Sequence, residues 1–136
     1  MYMKEFEIGD YVRAHYNSGT YIGKILEDRG NRYLVEVLAV DKHPIQGDLH
    51  NPKQVEGVAF HERKALSYKE KMNAKKPATF KYDKELPDYT ESLKTAVKKI
   101  REELNKEKNA YNQKALEKID DLEKHYYNKI YEQSSV

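Results

Sequence analysis

The sequence predicts an α+β protein: an N-terminal SH3-like small β-barrel followed by a C-terminal antiparallel helical hairpin. Three observations predict this class. Apolar and polar residues alternate through much of the first forty positions, as they do in half-buried strands. Short turns containing glycine separate these alternating runs. After residue 87, apolar residues recur three or four positions apart, as they do on one face of a helix.

Three strands joined by short turns are predicted to begin the barrel. They cover Ile8–Tyr16, Thr20–Glu27 and Tyr33–Val40. Because Tyr33–Val40 is apolar on both faces, we expect the C-terminal helices to cover its outer side. After a long polar loop, Val58–Leu66 is predicted to supply the short strands that close the barrel and remove its exposed edges.

The C-terminal part of the chain predicts two helices joined by a short connection. The first follows Pro87, is capped by Asp88 or Thr90, and has the apolar stripe Tyr89, Leu93, Ala96, Val97, Ile100 and Leu104. The second is capped by Asn109 and has the stripe Tyr111, Ala115, Ile119, Leu122, Tyr126 and Ile130. A connection this short predicts antiparallel neighbours. We therefore expect a barrel over residues 1–73, a linker over 74–86 and a helical hairpin over 87–136.

Charge and composition limit the classes of function. The net charge is +2 and neither half of the chain is strongly basic, so nucleic acid is not the expected partner. The chain contains no cysteine, which excludes disulfides, thiolate metal sites and lipid-modified cysteine within it. No apolar run approaches the ~18 residues of a membrane-spanning helix. We expect a cytoplasmic protein that does not insert into the membrane.

The loop after the third predicted strand has the most unusual composition in the chain. Within ten positions it holds His43, Pro44, Gln46, Gly47, Asp48, His50, Asn51 and Pro52. Prolines restrict the backbone and Asp48 and Asn51 can bond nearby amides, so these residues by themselves favour a rigid structural loop. Two alternatives stay open, a partner-binding loop and a zinc site. The zinc site would use His43, Asp48, His50 and His61, although their spacing matches no compact ligand motif.

The chain shows no motif for nucleophilic catalysis or phosphate binding. His61 and Glu62 are neighbours in a predicted strand, where adjacent side chains point to opposite faces, so they do not predict an acid–base dyad. We expect a protein that is not an enzyme and needs no cofactor.

A second surface is predicted on the first two strands. Aromatic and basic side chains there could lie together, as they do in modules that bind RNA: Tyr11, Arg13, His15, Tyr21 and Lys24. The near-neutral net charge favours a simpler interpretation, an aromatic-rich barrel face. An RNA- or ribosome-associated module is therefore the alternative function.

Three runs resemble one protein family. They are KHPIQGDLHNPKQ (Lys42–Gln54), FHERKAL (Phe60–Leu66) and PDYTESLK (Pro87–Lys94), and they resemble kinase-associated protein B of spore-forming bacteria. The family is also called kinase-associated lipoprotein B. Since this chain has no cysteine to carry a lipid, the resemblance does not extend to a lipid anchor.

The resemblance implies a non-catalytic accessory protein that acts on a sensor histidine kinase of the sporulation phosphorelay. It supplies no catalytic residues. We expect the kinase to contact the unusual loop and the segment that follows, because exposed loop residues on a rigid scaffold commonly bind partners. The predicted contact residues are His43, Pro44, Gln46, Gly47, Asp48, His50, Asn51, His61, Glu62 and Arg63. A homo-oligomer formed through the helical hairpin is a further alternative.

Overall fold

A five-stranded antiparallel sheet and two helical segments form the fold, in a computed structural model that describes residues 5–133. The strands are β1 (Tyr11–Tyr16), β2 (Gly19–Asp28), β3 (Arg32–Lys42), β4 (Lys71–Lys75) and β5 (Thr79–Lys81). Their order in the sheet is β4-β3-β2-β1-β5. The predicted α+β class is confirmed.

The prediction of a closed barrel is wrong. The sheet is open, with β4 at one edge and β5 at the other, and Val58–Leu66 forms no strand. Val35 instead pairs with Met72 of β4, and Ala14 pairs with Thr79 of β5. The alternation of β4 is easily overlooked, because lysine and asparagine point outwards between buried Met72 and Ala74.

Gly23 lets β2 and β3 approach closely. A Cβ atom at this position would collide with the carbonyl oxygen of Glu36 and the side chain of Val35. The strand register also shifts between Ile22 and Gly23. The register shift therefore lies where the two strands leave no room for a side chain.

The helical part begins with α1 (Tyr89–Leu104), which starts at the predicted N-cap Asp88. The Asp88 carboxylate accepts the Glu91 N–H at 3.1 Å. Asn109 caps α2 (Ala110–Leu122) in the same way. The helix then continues through a π-helical turn (Glu123–Tyr127) into α3 (Asn128–Gln133), and α2, this π-turn and α3 together are called the C-terminal helix below.

The π-turn changes which tyrosine faces the core. Tyr127 has no exposed surface, whereas Tyr126 is 45% exposed. The prediction that Tyr126 belongs to the buried stripe is therefore wrong. One additional residue in the turn moves the following residues around the helix axis by about one position.

Sheet and helices share one hydrophobic core. It includes Val12, Tyr21 and Val35 from the sheet, Leu93 and Val97 from α1, and Ile119, Leu122 and Tyr127 from the C-terminal helix. The Val40 N–H of β3 donates to the Ser92 hydroxyl of α1 at 2.9 Å. Arg101 of α1 pairs with Asp120 at 2.7 Å and with Glu123.

Two finer predictions about this architecture stay predictions. One is the antiparallel hairpin of the two helices. The other is the division into units at 1–73, 74–86 and 87–136, and β4 (Lys71–Lys75) runs across its first boundary.

Candidate interaction surface

Gln46 joins two segments of the long β3–β4 loop, residues 43–70. Its side-chain oxygen accepts the Arg63 N–H at 2.8 Å, and its side-chain nitrogen donates to the Arg63 carbonyl at 2.9 Å. The Gly47 N–H donates to the His61 carbonyl at 2.9 Å beside them. A buried side-chain amide thus makes the two bonds that a paired strand would make, and it fixes one segment against the other.

The Arg63 side chain strengthens the same junction. Its Nη1 atom donates to the carbonyl oxygen of Ile45 at 3.1 Å and to that of Gly47. Hydrogen bonds from a charged donor are stronger than neutral ones. One nitrogen of the guanidinium is therefore engaged in holding the loop.

Four tyrosine hydroxyls attach the loop to the rest of the molecule. Tyr111 donates to the Gln46 carbonyl at 2.8 Å, and Tyr89 donates to the Leu66 carbonyl at 2.5 Å. Tyr21 accepts the Leu66 N–H at 3.2 Å, and Tyr127 accepts the Ala65 N–H at 2.9 Å. Burial raises the pKa of all four hydroxyls, that of Tyr21 to about 12, so they stay protonated at neutral pH.

His43 is buried beneath the loop, with 4% of its surface exposed. Its Nδ1 lies 2.9 Å from the Pro44 carbonyl, which can only accept, so Nδ1 carries the proton. Its Nε2, 2.7 Å from the Tyr127 hydroxyl, then accepts from that hydroxyl. Burial lowers the pKa of His43 to about 4, and the ring is neutral at pH 7.

Asp48 organises the tip of the loop. Its carboxylate accepts the Asn51 side-chain amide at 3.0 Å and the His50 N–H at 2.9 Å. These two bonds, the Asn51 bond most strongly, lower the pKa of Asp48. The arrangement is a local turn stabilised by an aspartate side chain.

The structure separates the predicted contact residues into three groups. His43, Pro44, Gln46 and Gly47 are buried and leave little surface for a partner, and their role in binding stays a prediction. Asp48, Asn51 and Arg63 are half-buried and bonded within the loop. His50, His61 and Glu62 are exposed, and their role in binding stays a prediction.

Two exposed residues of the same loop were missed from the sequence. Ile45 is 50% exposed and Leu49 is 40% exposed. Both are aliphatic residues of the segment 43–51, in which most other side chains are buried or hydrogen-bonded. Large aliphatic residues in an otherwise polar loop were the signal available in the sequence, and exposed apolar groups on a fixed backbone suit partner binding.

The surface predicted for RNA is only partly assembled. Tyr21 is buried, so its predicted place on that surface is wrong. Arg13 is paired with Asp41 at 2.8 Å, which neutralises its charge, and His15 bonds the Thr20 hydroxyl at 2.9 Å. Tyr11 and Lys24 do face each other across β1 and β2.

The zinc alternative does not match the side-chain positions. Within residues 5–133, no three or more histidine, cysteine, aspartate or glutamate side chains lie where they could hold one metal ion together. Both ring nitrogens of His43 are already hydrogen-bonded.

Within residues 5–133, every helix is too short or too polar to cross a bilayer.

Comparisons with known proteins agree on one family. The family model described as "Kinase associated protein B" matches residues 16–127. The chain is 46% identical over 127 residues to the "Kinase-associated lipoprotein B" of Bacillus subtilis (strain 168), covering 93% of this chain and 99% of that protein. It also matches the crystal structure of kinase-associated protein B from Bacillus cereus, with a TM-score of 0.76 at 35% identity, covering 90% of this chain and 98% of that one.

Proposed function

The chain belongs to the kinase-associated protein B family, and from this membership we propose that it is a non-catalytic accessory protein of a kinase. The kinase we propose is a sensor histidine kinase of the sporulation phosphorelay, met in the cytoplasm. The proposed contact is direct. It is made by the β3–β4 loop.

The observation that carries the proposal is the exposure of Ile45 and Leu49 on a loop whose backbone is fixed. Gln46 lies between them in sequence and is fully buried, so the two side chains project from an anchored backbone. A contact surface that is already ordered loses little conformational entropy on binding. The exposed polar residues His50, His61 and Glu62 belong to the same loop and supply its hydrogen-bonding groups.

A non-catalytic role agrees with how the loop uses its reactive side chains. His43 is neutral and bonded on both nitrogens, and the Asp48 carboxylate is bonded to its own turn. A general base must reach a substrate proton. These two groups instead hold backbone and side chains of the loop itself.

The double variant Ile45→Ser/Leu49→Ser tests the contact. Calorimetric titration would measure its affinity for the purified cytoplasmic portion of each sporulation sensor histidine kinase. The two aliphatic side chains would become buried in the complex. Their loss is expected to weaken the affinity by at least about tenfold. The loop backbone bonds do not involve either side chain, so the variant should fold normally.

The matched control is Ile8→Ser/Leu86→Ser. It makes the same substitutions at exposed positions outside the loop. Its affinity should equal that of the unmodified protein. Equal affinities for all three proteins would disprove the loop as the contact, and absence of binding by the unmodified protein would disprove a direct kinase contact.

A further inference from the structure

The turn between β1 and β2 contains a serine where the backbone favours glycine. Tyr16 pairs with Gly19, so Asn17 and Ser18 form a two-residue connection between the strands. Both have a positive φ, 47° at Asn17 and 67° at Ser18. Hairpin turns of this kind prefer Asn-Gly, because glycine adopts a positive φ without steric cost and asparagine tolerates it. Ser18 therefore holds a conformation that glycine would adopt at lower cost.

The Ser18 hydroxyl reaches the β3–β4 loop. Its oxygen accepts the N–H of Ile45, 27 positions along the chain, at 2.9 Å. The Ile45 carbonyl, on the other side of the same residue, accepts from Arg63 Nη1 at 3.1 Å. The backbone of Ile45 is thus held from two directions by side chains that belong to different segments. Its own side chain remains 50% exposed.

A glycine in this turn could not supply the bond to Ile45, because glycine has no side chain. Gln46 bonds Arg63 and so fixes the chain after Ile45, and the preceding residue, Pro44, has no N–H to donate. Among residues 5–133, the hydrogen-bond partner of the Ile45 N–H is the Ser18 hydroxyl. Strained backbone at a residue that makes such a specific contact indicates that the contact has a use.

We propose that Ser18 is a positioning residue of the contact surface: its hydroxyl fixes the backbone of Ile45 and therefore the direction in which the Ile45 side chain projects. A side chain that is held in place before binding loses less conformational entropy when a complex forms. The consequence for kinase binding rests on the proposed function. The effect of Ser18 on the position of Ile45 does not.

Ser18→Gly tests the assignment, because it removes the hydroxyl and also suits the turn. The relief of the strained φ is expected to offset the lost hydrogen bond, so the urea midpoint should stay close to that of the unmodified protein. Hydrogen exchange followed by NMR should show the Ile45 amide exchanging about tenfold faster. The Gly47 amide, bonded to the His61 carbonyl in the same loop, is the internal reference and should keep its rate.

Asn17→Gly is the matched control. It makes the same kind of substitution in the same turn, at an exposed side chain that has no hydrogen-bond partner within residues 5–133. Its Ile45 exchange should equal that of the unmodified protein. Equal Ile45 exchange in Ser18→Gly and Asn17→Gly would overturn the proposal. A Ser18→Gly protein in which Gly47 exchange rises as much as Ile45 exchange would also overturn it, because the whole loop would then have opened.

Titration of the kinase portion separates this proposal from the proposed function. Ser18→Gly is expected to bind about fivefold more weakly than Asn17→Gly, since the Ile45 segment must then be ordered on binding. If Ile45→Ser/Leu49→Ser weakens binding and Ser18→Gly does not, the contact stands and the role of Ser18 in it is overturned. If Ile45→Ser/Leu49→Ser binds normally while Ile45 exchange rises in Ser18→Gly, the contact surface is wrong and Ser18 still positions Ile45.

Discussion

At the residue scale, side chains hydrogen-bond the backbone of the β3–β4 loop, as neighbouring strands bond each other in the sheet. Gln46 bonds both backbone groups of Arg63, and Tyr21 and Tyr89 bond those of Leu66. The sequence predicted that Asp48 bonds nearby amides, and the structure shows its bonds to the His50 N–H and the Asn51 side chain. The sequence could not show which residues are buried, since a partner such as Tyr127 lies 84 positions from His43.

Gln46→Leu should destabilise the protein. Leucine keeps the approximate volume but leaves the Arg63 N–H and carbonyl without their partner, so the free energy of unfolding should fall by about 2 kcal/mol. Urea denaturation measures it. Gln54→Leu, at an exposed position in the same loop, is the control and should change stability by less than about 0.5 kcal/mol. Equal stabilities of the two variants would contradict the role assigned to Gln46.

His43 should make the stability depend on pH. Its pKa is about 4 in the folded protein against 6.5 in the unfolded chain, so the unfolded chain takes up the proton first as the pH falls. The contribution is complete above pH 6.5 and should decrease by about 3 kcal/mol between pH 6.5 and 4.

Urea denaturation across this pH range would compare the unmodified protein with His43→Leu. The variant should lose this part of the pH dependence, and His50→Gln, changed at an exposed position, should keep it. Parallel curves for the unmodified protein and His43→Leu would show that His43 is not buried in neutral form.

At the scale of elements, periodicity predicted the helices well until the period itself changed. Tyr111, Ala115, Ile119 and Leu122 are buried as predicted, whereas Tyr126 is not. A periodic pattern assumes a constant helix, and two adjacent tyrosines fit the pattern almost equally well in either register. In the structure the π-turn buries Tyr127, whose hydroxyl bonds Ala65 and His43.

The closing strands were misplaced for a different reason. Val58–Leu66 has apolar residues near both ends, which favoured a strand. Its backbone groups are instead bonded by Gln46 and by tyrosine hydroxyls. Those long-range partners cannot be read from a local pattern. The strands that were missed, β4 and β5, are short and rich in lysine.

Gly23→Ala tests the close approach of β2 and β3. An added Cβ collides with the rigid Glu36 backbone, so the strands must separate and we expect a loss of about 2 kcal/mol in thermal or urea denaturation. Gly30→Asn, in the turn that follows β2, is the control. A side chain there meets no neighbour, and asparagine adopts a positive φ, 83° at this position, more readily than most residues, so the control should cost less than Gly23→Ala. A Gly23→Ala protein as stable as the control would contradict the packing.

At the scale of the whole molecule, the helices complete the core of the sheet. Tyr89 and Tyr127 bond the loop, and Leu93 and Ile119 lie in the same cluster as Val35. Because the helices cover the apolar residues of the sheet, the sheet does not have to close on itself. Its predicted outer cover comes from α1, which bonds β3 through Ser92.

A chain limited to residues 1–86 should therefore not fold cooperatively. It retains all five strands but loses the helical half of the core and three of the four tyrosines that hold the loop. Circular dichroism during heating would show no sharp transition. A sharp transition in this shortened chain would instead support the predicted division into separate units.

Ile45 and Leu49 are proposed to form the surface that contacts the kinase. Methyl-labelled NMR tests it most directly, because these side chains report binding without any substitution. On titration with the purified cytoplasmic portion of a sporulation sensor histidine kinase, the methyl signals of Ile45 and Leu49 should shift or broaden first. Those of Ile8 and Leu86, which are exposed outside the loop, should stay unchanged. Changes confined to Ile8, Leu86 or other methyl groups outside the loop would contradict the proposed contact.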